Sequence, residues 1–485
     1  RLHKGKSKSA NNSLCNFLIS MAKTITLKVL SNPEQSSGCE IEASIQASDL
    51  QEPISSVFTF SSLTHVLDNF ARWKKSLGYY IPVRREQFRG NAIANRKDQP
   101  GFHLSEDKAY QDCNSSMREL VDSFDHCLNN DNFQNWLRSF FETTTDSVRV
   151  IIQTDSLEVA NLPWEQWSFW DQYYDTNNLA IVLNFINSAQ FIVSAPPKTE
   201  ATLTRILVLL GDEANEDRRR RINLDLDRKE FQKFETDLKK LGDRTNVDIH
   251  IIQPNRVELE QCLQETWHII YYGGHSKTLD AEKDGILCLR DQTQVKISEL
   301  EISFKEALER GELRLLIVNA CQGLDTALRL VSLGLPHVIV MRELIPDDVA
   351  HDFLRYLLES LIIGLPVTSA IQHCKPHLRQ AYDLRHQLPG ASLLPVLCLT
   401  LDAVSEVDTP MIPLTGIHPI CQEMRALANL AKARLTLENA DNIAALKVQE
   451  HYANLLQLKN KVSQEDCTTE IERFAAVPTF NVRVR

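Results

Sequence analysis

The sequence predicts a layered α/β protein built on a largely parallel sheet flanked by helices. Between 148 and 399, apolar runs of strand length alternate with amphipathic stretches of helix length. These runs are nearly continuous in Ile, Leu and Val, as strands covered on both faces are. Two of them, Ile-Ile-Tyr-Tyr at 269–272 and Leu-Leu-Ile-Val at 315–318, stop at small residues and are followed by a reactive side chain, His275 and Cys321 respectively.

Composition bounds the possibilities. A chain of 485 residues has room for two or three domains, each with its own core. Its net charge of -11 argues against nucleic acid as a direct partner, because phosphate binding needs clustered Lys and Arg. No run approaches the roughly 20 apolar residues of a membrane helix, so no membrane partner is expected. The eleven cysteines are odd in number and form no C-x-x-C pair, which suggests neither a disulfide framework nor a zinc site. A reducing, cytoplasmic location fits that usage. Gly-x-Gly-x-x-Gly and Walker patterns are absent, and no cofactor or metal is expected.

Taken in order, residues 1–20 are polar and basic and read as a disordered extension ahead of Met21. An N-terminal α+β module is placed at 21–142. Apolar residues alternate at 25–30 and 41–45, the mark of strands with one wet face, and 57–60 is a third short strand. A helix follows from Ser61, with Leu63, Val66, Leu67, Phe70 and Trp73 on one stripe and Gly78 as its close. The polar stretch 82–105 reads as loop. Helical patterning resumes over 106–142, with Met117, Leu120, Val121, Phe124, Cys127 and Leu128 three or four apart. Nothing in this module forms a chemical constellation, so packing or sensing is its expected role.

The larger domain is placed at 146–402. Its strands are expected at 148–153, 206–210, 247–252, the two runs before His275 and Cys321, 338–341 and near 393–399. Helices are expected at 225–241, 256–265, 298–310 and 324–333. Pro163-Trp164-Glu165 is read as a packing segment for large aromatics. The run Arg218 to Arg221 is a solvated loop face or, in a peptidase selecting basic residues, a self-cleavage site. Beyond 402, Pro410, Pro413 and Gly416 mark a linker, and 418–437 and 439–463 read as a helical hairpin within a tail of 403–485.

His275 and Cys321 fall just past the carboxyl ends of their strands, the edge where ligands bind in open α/β sheets. On neighbouring loops the imidazole can take the thiol proton, and the thiolate is the nucleophile. Backbone N–H groups of Ser276 and Cys321 are candidates to bind an oxyanion. Taken singly, a strand-end cysteine is more often a small buried hydrophobe and a lone histidine a hydrogen-bonded structural residue.

At these residues the chain resembles a family. Gly273-Gly274-His275-Ser276 followed by Asn319-Ala320-Cys321-Gln322-Gly323 is similar to the His and Cys motifs of CHAT domains, in the caspase and separase group of cysteine peptidases. Gly334-Leu335-Pro336, the stretch 338–347, Ala350, Phe353 and Gly364-Leu365-Pro366 follow in the same order. The likeness covers roughly 146–402. Ser276 stands where this group often has Gly. The resemblance implies a caspase-like fold and a cysteine endopeptidase that cleaves protein substrates, acting as a regulated signalling or defence effector. It also implies that Asp347 faces the pocket for the residue before the scissile bond (P1), which would favour Arg or Lys there. Asp347 equally fits the cap of a helix starting near Val349. A preference for Asp would instead need a basic residue such as Arg342. The alternative from another class is a catalytically silent scaffold that binds regulatory partners through its N-terminal module or helical tail.

Overall fold

Residues 23–30, 39–46, 53–61, 63–88, 106–142, 148–173, 179–185, 203–213, 222–240, 246–279, 284–290, 293–310, 313–362, 364–400, 403 and 411–412 are described by the computed structural model. The Arg218 to Arg221 run, the N-terminal extension and the helical tail lie outside the described residues.

The strands of the main sheet are β1 (Lys23–Leu30), β2 (Cys39–Gln46), β3 (Ile54–Phe60), β4 (Val148–Thr154), β5 (Ala180–Phe185), β6 (Thr204–Leu210), β7 (Val247–Ile252), β8 (Ile269–Gly273), β12 (Leu315–Asn319), β13 (His337–Met341) and β14 (Pro395–Leu399). A second sheet holds β9 (Ser276–Leu279), β10 (Asp284–Cys288) and β11 (Gln294–Lys296). The helices are α1 (Thr64–Phe88), α2 (Glu106–Cys127), α3 (Asp131–Phe141), the single turn α4 (Leu157–Ala160), α5 (Leu224–Lys240), α6 (Arg256–Leu263), α7 (Glu301–Glu309), α8 (Leu324–Ser332), α9 (Asp347–Ile362) and α10 (Val367–Leu378).

The main sheet runs in the order β3-β2-β1-β4-β5-β14-β13-β12-β8-β6-β7. Antiparallel pairing is confined to β1 with β2, β2 with β3, and β13 with β14. The remaining neighbours are parallel, so the mostly parallel, helix-flanked α/β architecture is as the sequence predicts. Every residue of β5, β8, β12, β13 and β14 is buried, which is why these strands read as unbroken apolar runs. In β2 buried residues instead alternate with more accessible ones, matching the period of two in its sequence. The sheet does not stop at the N-terminal strands, because β1 pairs in parallel with β4 from Lys23↔Val148 to Lys28↔Gln153.

Three local expectations need correction. The helix expected to close at Gly78 continues as α1 to Phe88, through Pro82 and into the stretch read as loop. Tertiary anchors override the local stop signal: the Tyr80 hydroxyl donates to the Gln387 carbonyl at 2.8 Å, and buried Arg84 grips Asp348 with both terminal nitrogens at 3.0 and 2.6 Å. Strand β5 was missed, as was the three-stranded sheet after His275. The helical stretch 106–142 is two helices, broken before Asp131, where the Asn130 side chain accepts from the Phe133 N–H at 3.1 Å.

The Pro-Trp-Glu segment packs large aromatics, as expected, and does something more. Trp164 lies edge-on to Phe124 of α2, and Trp167 stacks on Phe133 of α3. Glu165, between the two tryptophans in sequence, enters a buried ion cluster. Its carboxylate takes Arg342 at 3.1 Å and Lys375 at 2.6 Å, while Arg342 also donates to the carbonyls of Asn161 and Leu162, both at 2.6 Å, and of Leu393 at 3.1 Å.

Candidate active site

Strands β8 and β12 are adjacent and parallel, and their last residues, Gly273 and Asn319, are register partners. His275 and Cys321 therefore each stand two positions beyond a matched pair of strand ends. Neighbouring strands are about 4.8 Å apart, so the two loops begin within side-chain reach of one another. Both residues are half-buried. The loops also touch: the Ser276 hydroxyl donates to the Cys321 carbonyl. Glycine at 276 could not make that bond.

Two tyrosines at the end of β8 hold the loops from below. The Tyr272 hydroxyl donates to the His275 carbonyl at 2.7 Å and accepts from the Cys288 N–H at 3.0 Å. The Tyr271 hydroxyl donates to Asp227 at 2.6 Å and accepts from the Asn319 side-chain amide at 3.0 Å. That amide also donates to the Ala350 carbonyl at 3.1 Å, which ties the end of the cysteine strand to α9. Burial pushes both phenols well above their usual value, and the Asp227 charge pushes Tyr271 further, so both stay neutral donors. The two glycines after them leave room for these hydroxyls. A Cβ on Gly274 would sit 2.6 Å from the Tyr272 oxygen, and one on Gly273 would sit 2.6 Å from an Asp227 carboxylate oxygen.

The Cys288 N–H also reaches the His275 carbonyl at 3.1 Å, while Ser276 pairs with Leu287. This is the pattern of a non-hydrogen-bonded antiparallel pair, in which the Ser276 N–H points away from β10. On the other loop Gln322 has φ 53°, a left-handed conformation uncommon outside glycine and concentrated at functional sites. The Gly323 N–H fixes that turn on the Met341 carbonyl at 2.8 Å.

Asp347 is half-buried and is the first residue of α9, two residues ahead of the expected helix start. Arg342 is almost fully buried in the ion cluster with Glu165. The following residue, Glu343, turns toward that loop: the Gln322 N–H lies 3.5 Å from its carbonyl, and its carboxylate pairs with Lys74 at 2.9 Å. The sequence reading missed the supporting roles of Tyr271, Tyr272 and Asn319, and the position of Glu343. Two phenols in an otherwise aliphatic buried strand were the available signal, since a buried hydroxyl must find a partner.

The class is thus a mostly parallel α/β protein carrying a histidine loop and a cysteine loop side by side on the carboxyl edge of its sheet. Within that class the chain belongs to the CHAT domain family, whose model matches residues 144–389. No curated protein matches it in sequence. Among solved structures it is similar to the Arg-specific cysteine proteinase gingipain R, at 10% identity and TM-score 0.40 over 59% of this chain and 68% of that one. The complex of Porphyromonas gingivalis RgpB pro- and mature domains is similar at 9% identity and TM-score 0.38, covering 71% of this chain and 78% of that one. The Drosophila initiator caspase Dronc is similar at 9% identity and TM-score 0.26, covering 35% and 71%. Among the described residues no helix is long and apolar enough to cross a membrane.

Proposed function

We propose that the chain is a cysteine endopeptidase acting on protein substrates. The observation that supports this most is the register of β8 and β12, which carries His275 and Cys321 to equal distances past neighbouring strand ends. In this reading His275 takes the Cys321 proton and the thiolate adds to the scissile carbonyl. The Ser276 and Cys321 N–H groups receive the oxyanion. Collapse expels the amine, which takes the proton from His275. Water, deprotonated by the same imidazole, then hydrolyses the thioester and restores the thiol.

Cleavage after a basic residue, with Asp347 as the receiving carboxylate, is the finer part of the reading and rests on family resemblance. So does a regulated signalling or defence role, with partners met through the N-terminal strands and helices or the tail. A reducing location such as the cytoplasm rests on the scattered, odd-numbered cysteines of the sequence. The deciding experiment is competitive labelling of the full chain by iodoacetamide or a peptidyl chloromethylketone, read by peptide mapping. Cys321 should react first among the eleven cysteines. If it reacts no faster than the rest and no peptide is cleaved, the chain is instead a non-catalytic adaptor.

A further inference from the structure

On α10, His373 and His377 stand one helical turn apart, at the i, i+4 spacing that puts two side chains on one face. Both are half-buried. Their Nε2 atoms lie 3.4 Å apart, with ring centroids 4.8 Å apart and the ring planes inclined at 72°. As a hydrogen bond this contact is long, since N–H donors usually sit within about 3.2 Å of their acceptors. As the edge of a metal tetrahedron it fits: two nitrogens at about 2.0–2.1 Å from zinc lie about 3.3–3.4 Å apart. Adjacent ligands of a square-planar ion such as copper(II) would stand closer, at about 2.9 Å.

The neighbouring helix sets the pair up to bind. The Ser360 hydroxyl of α9 has one proton, which it donates to the Tyr356 carbonyl at 2.7 Å. Toward His373 Nδ1, 2.9 Å away, Ser360 therefore accepts, so Nδ1 carries the ring proton and Nε2 presents its lone pair. The Tyr356 ring stacks on His377 at 4.4 Å and 13°, which fixes the plane of the second imidazole. The cations close by in sequence are already paired, Lys375 with Glu165 at 2.6 Å and Arg355 with Asp352 at 2.9 Å. We propose that His373 and His377 form a two-histidine site for a zinc ion. Among the described residues no set of three or more His, Cys, Asp or Glu is placed to hold a metal, so water completes the coordination. Such a site leaves no C-x-x-C signature in the sequence. The ion clips α10 across Pro376, which has no N–H to give to the helix, just before the chain widens into a π turn at Arg379–Asp383. The clipped turn is the one that holds Lys375 against Glu165.

The test uses the full chain, stripped of metal, in a Cys321→Ala background so that zinc held by Cys321 and His275 does not report. In calorimetric titration with zinc chloride, His373→Ala and His377→Ala should each bind one equivalent fewer than this parent. Ser360→Ala should keep that equivalent but hold it about tenfold more weakly, because His373 Nδ1 loses the acceptor that fixes its proton. Zinc should also raise the thermal midpoint of the parent more than that of His377→Ala, since an ion that binds only the folded chain stabilises it. On the wild-type chain, zinc should protect His373 and His377 from diethyl pyrocarbonate, read by peptide mapping, a measurement that needs no variant to fold. Zinc that protects neither histidine, or alanine variants that each bind as many equivalents as the parent, would overturn the site.

Discussion

Arg342 and Glu343 are consecutive residues just beyond β13, both almost fully buried, and they belong to two different kinds of charge cluster. Arg342 is closed on every side by Glu165 and three backbone carbonyls, and Lys375 completes that group. Glu343 instead meets the half-exposed Lys74 at 2.9 Å and the Asn161 amide at 3.4 Å, beside a cavity that Gln322 helps to line. The first cluster matches each charge with partners that cannot leave. In the second, the cation is half in solvent. A buried carboxylate whose cation is half in solvent gains less from the pair than one closed in by buried partners, because water screens the exposed end.

The widest separation between structural and chemical roles is expected at the loop next to Glu343. Cys321→Ala should lower peptidase activity by at least about a thousandfold. The unfolding free energy should stay within about 0.5 kcal/mol of wild type, because a half-buried sulfur contributes little packing. Activity assays and urea titration together read this; loss of folding in the variant would make Cys321 a core residue. On the structural side, Glu165→Gln leaves Arg342 and Lys375 without their carboxylate and should cost about 3–5 kcal/mol. Glu343→Gln leaves only the half-exposed Lys74 ammonium without its partner and should cost no more than about 1 kcal/mol. Equal destabilisation of the two glutamine variants in urea would erase the distinction.

How much of this was legible in the sequence follows the same division. Strands buried on both faces announce themselves by composition, so β4, β6, β8, β12, β13 and β14 were readable, and the two reactive residues with them. The continuation of α1 past Gly78 was not, because it depends on Arg84 and Tyr80 finding Asp348 and Gln387 at the far end of the chain. Strand β5 sits among aromatic and polar residues that blur its boundaries, and β9 to β11 are too short to show a period. Glu165 was hidden by the tryptophans beside it. Glu343 was hidden because its relation to Lys74, 269 residues earlier, exists only once the N-terminal strands and helices lie against the rest of the fold.

A smaller effect should come from the tyrosine beneath the histidine loop. Tyr272→Phe removes the hydroxyl that bridges the His275 carbonyl and the Cys288 N–H. Because the Cys288 N–H and the His275 carbonyl keep their own 3.1 Å bond, the loss should cost only about 0.5–1.5 kcal/mol. If the loop's position matters to the chemistry, kcat/KM should also fall by about tenfold, without a change in P1 preference. A fall in stability alone would make Tyr272 a structural residue like Glu165.

The least visible effect near neutral pH concerns Glu165 itself. Burial pushes its carboxyl up, but the Lys375 ammonium and the Arg342 guanidinium outweigh that, and the group lies below the ordinary glutamate value. A carboxyl whose folded pKa is depressed contributes stability that is fully present above the unfolded value of about 4.3. That contribution disappears as pH falls through the lower, folded value. Between pH 5 and 8 the stability gap between wild type and Glu165→Gln should therefore be constant. Below about pH 4 it should narrow, because the wild-type carboxyl takes up a proton on unfolding while glutamine does not. Urea unfolding of the two proteins at a series of pH values measures this. A gap that stays at its neutral-pH size down to pH 2 would mean that the carboxylate charge is not what holds Arg342 and Lys375. The cluster would then owe its stability to the carbonyls of Asn161, Leu162 and Leu393 alone.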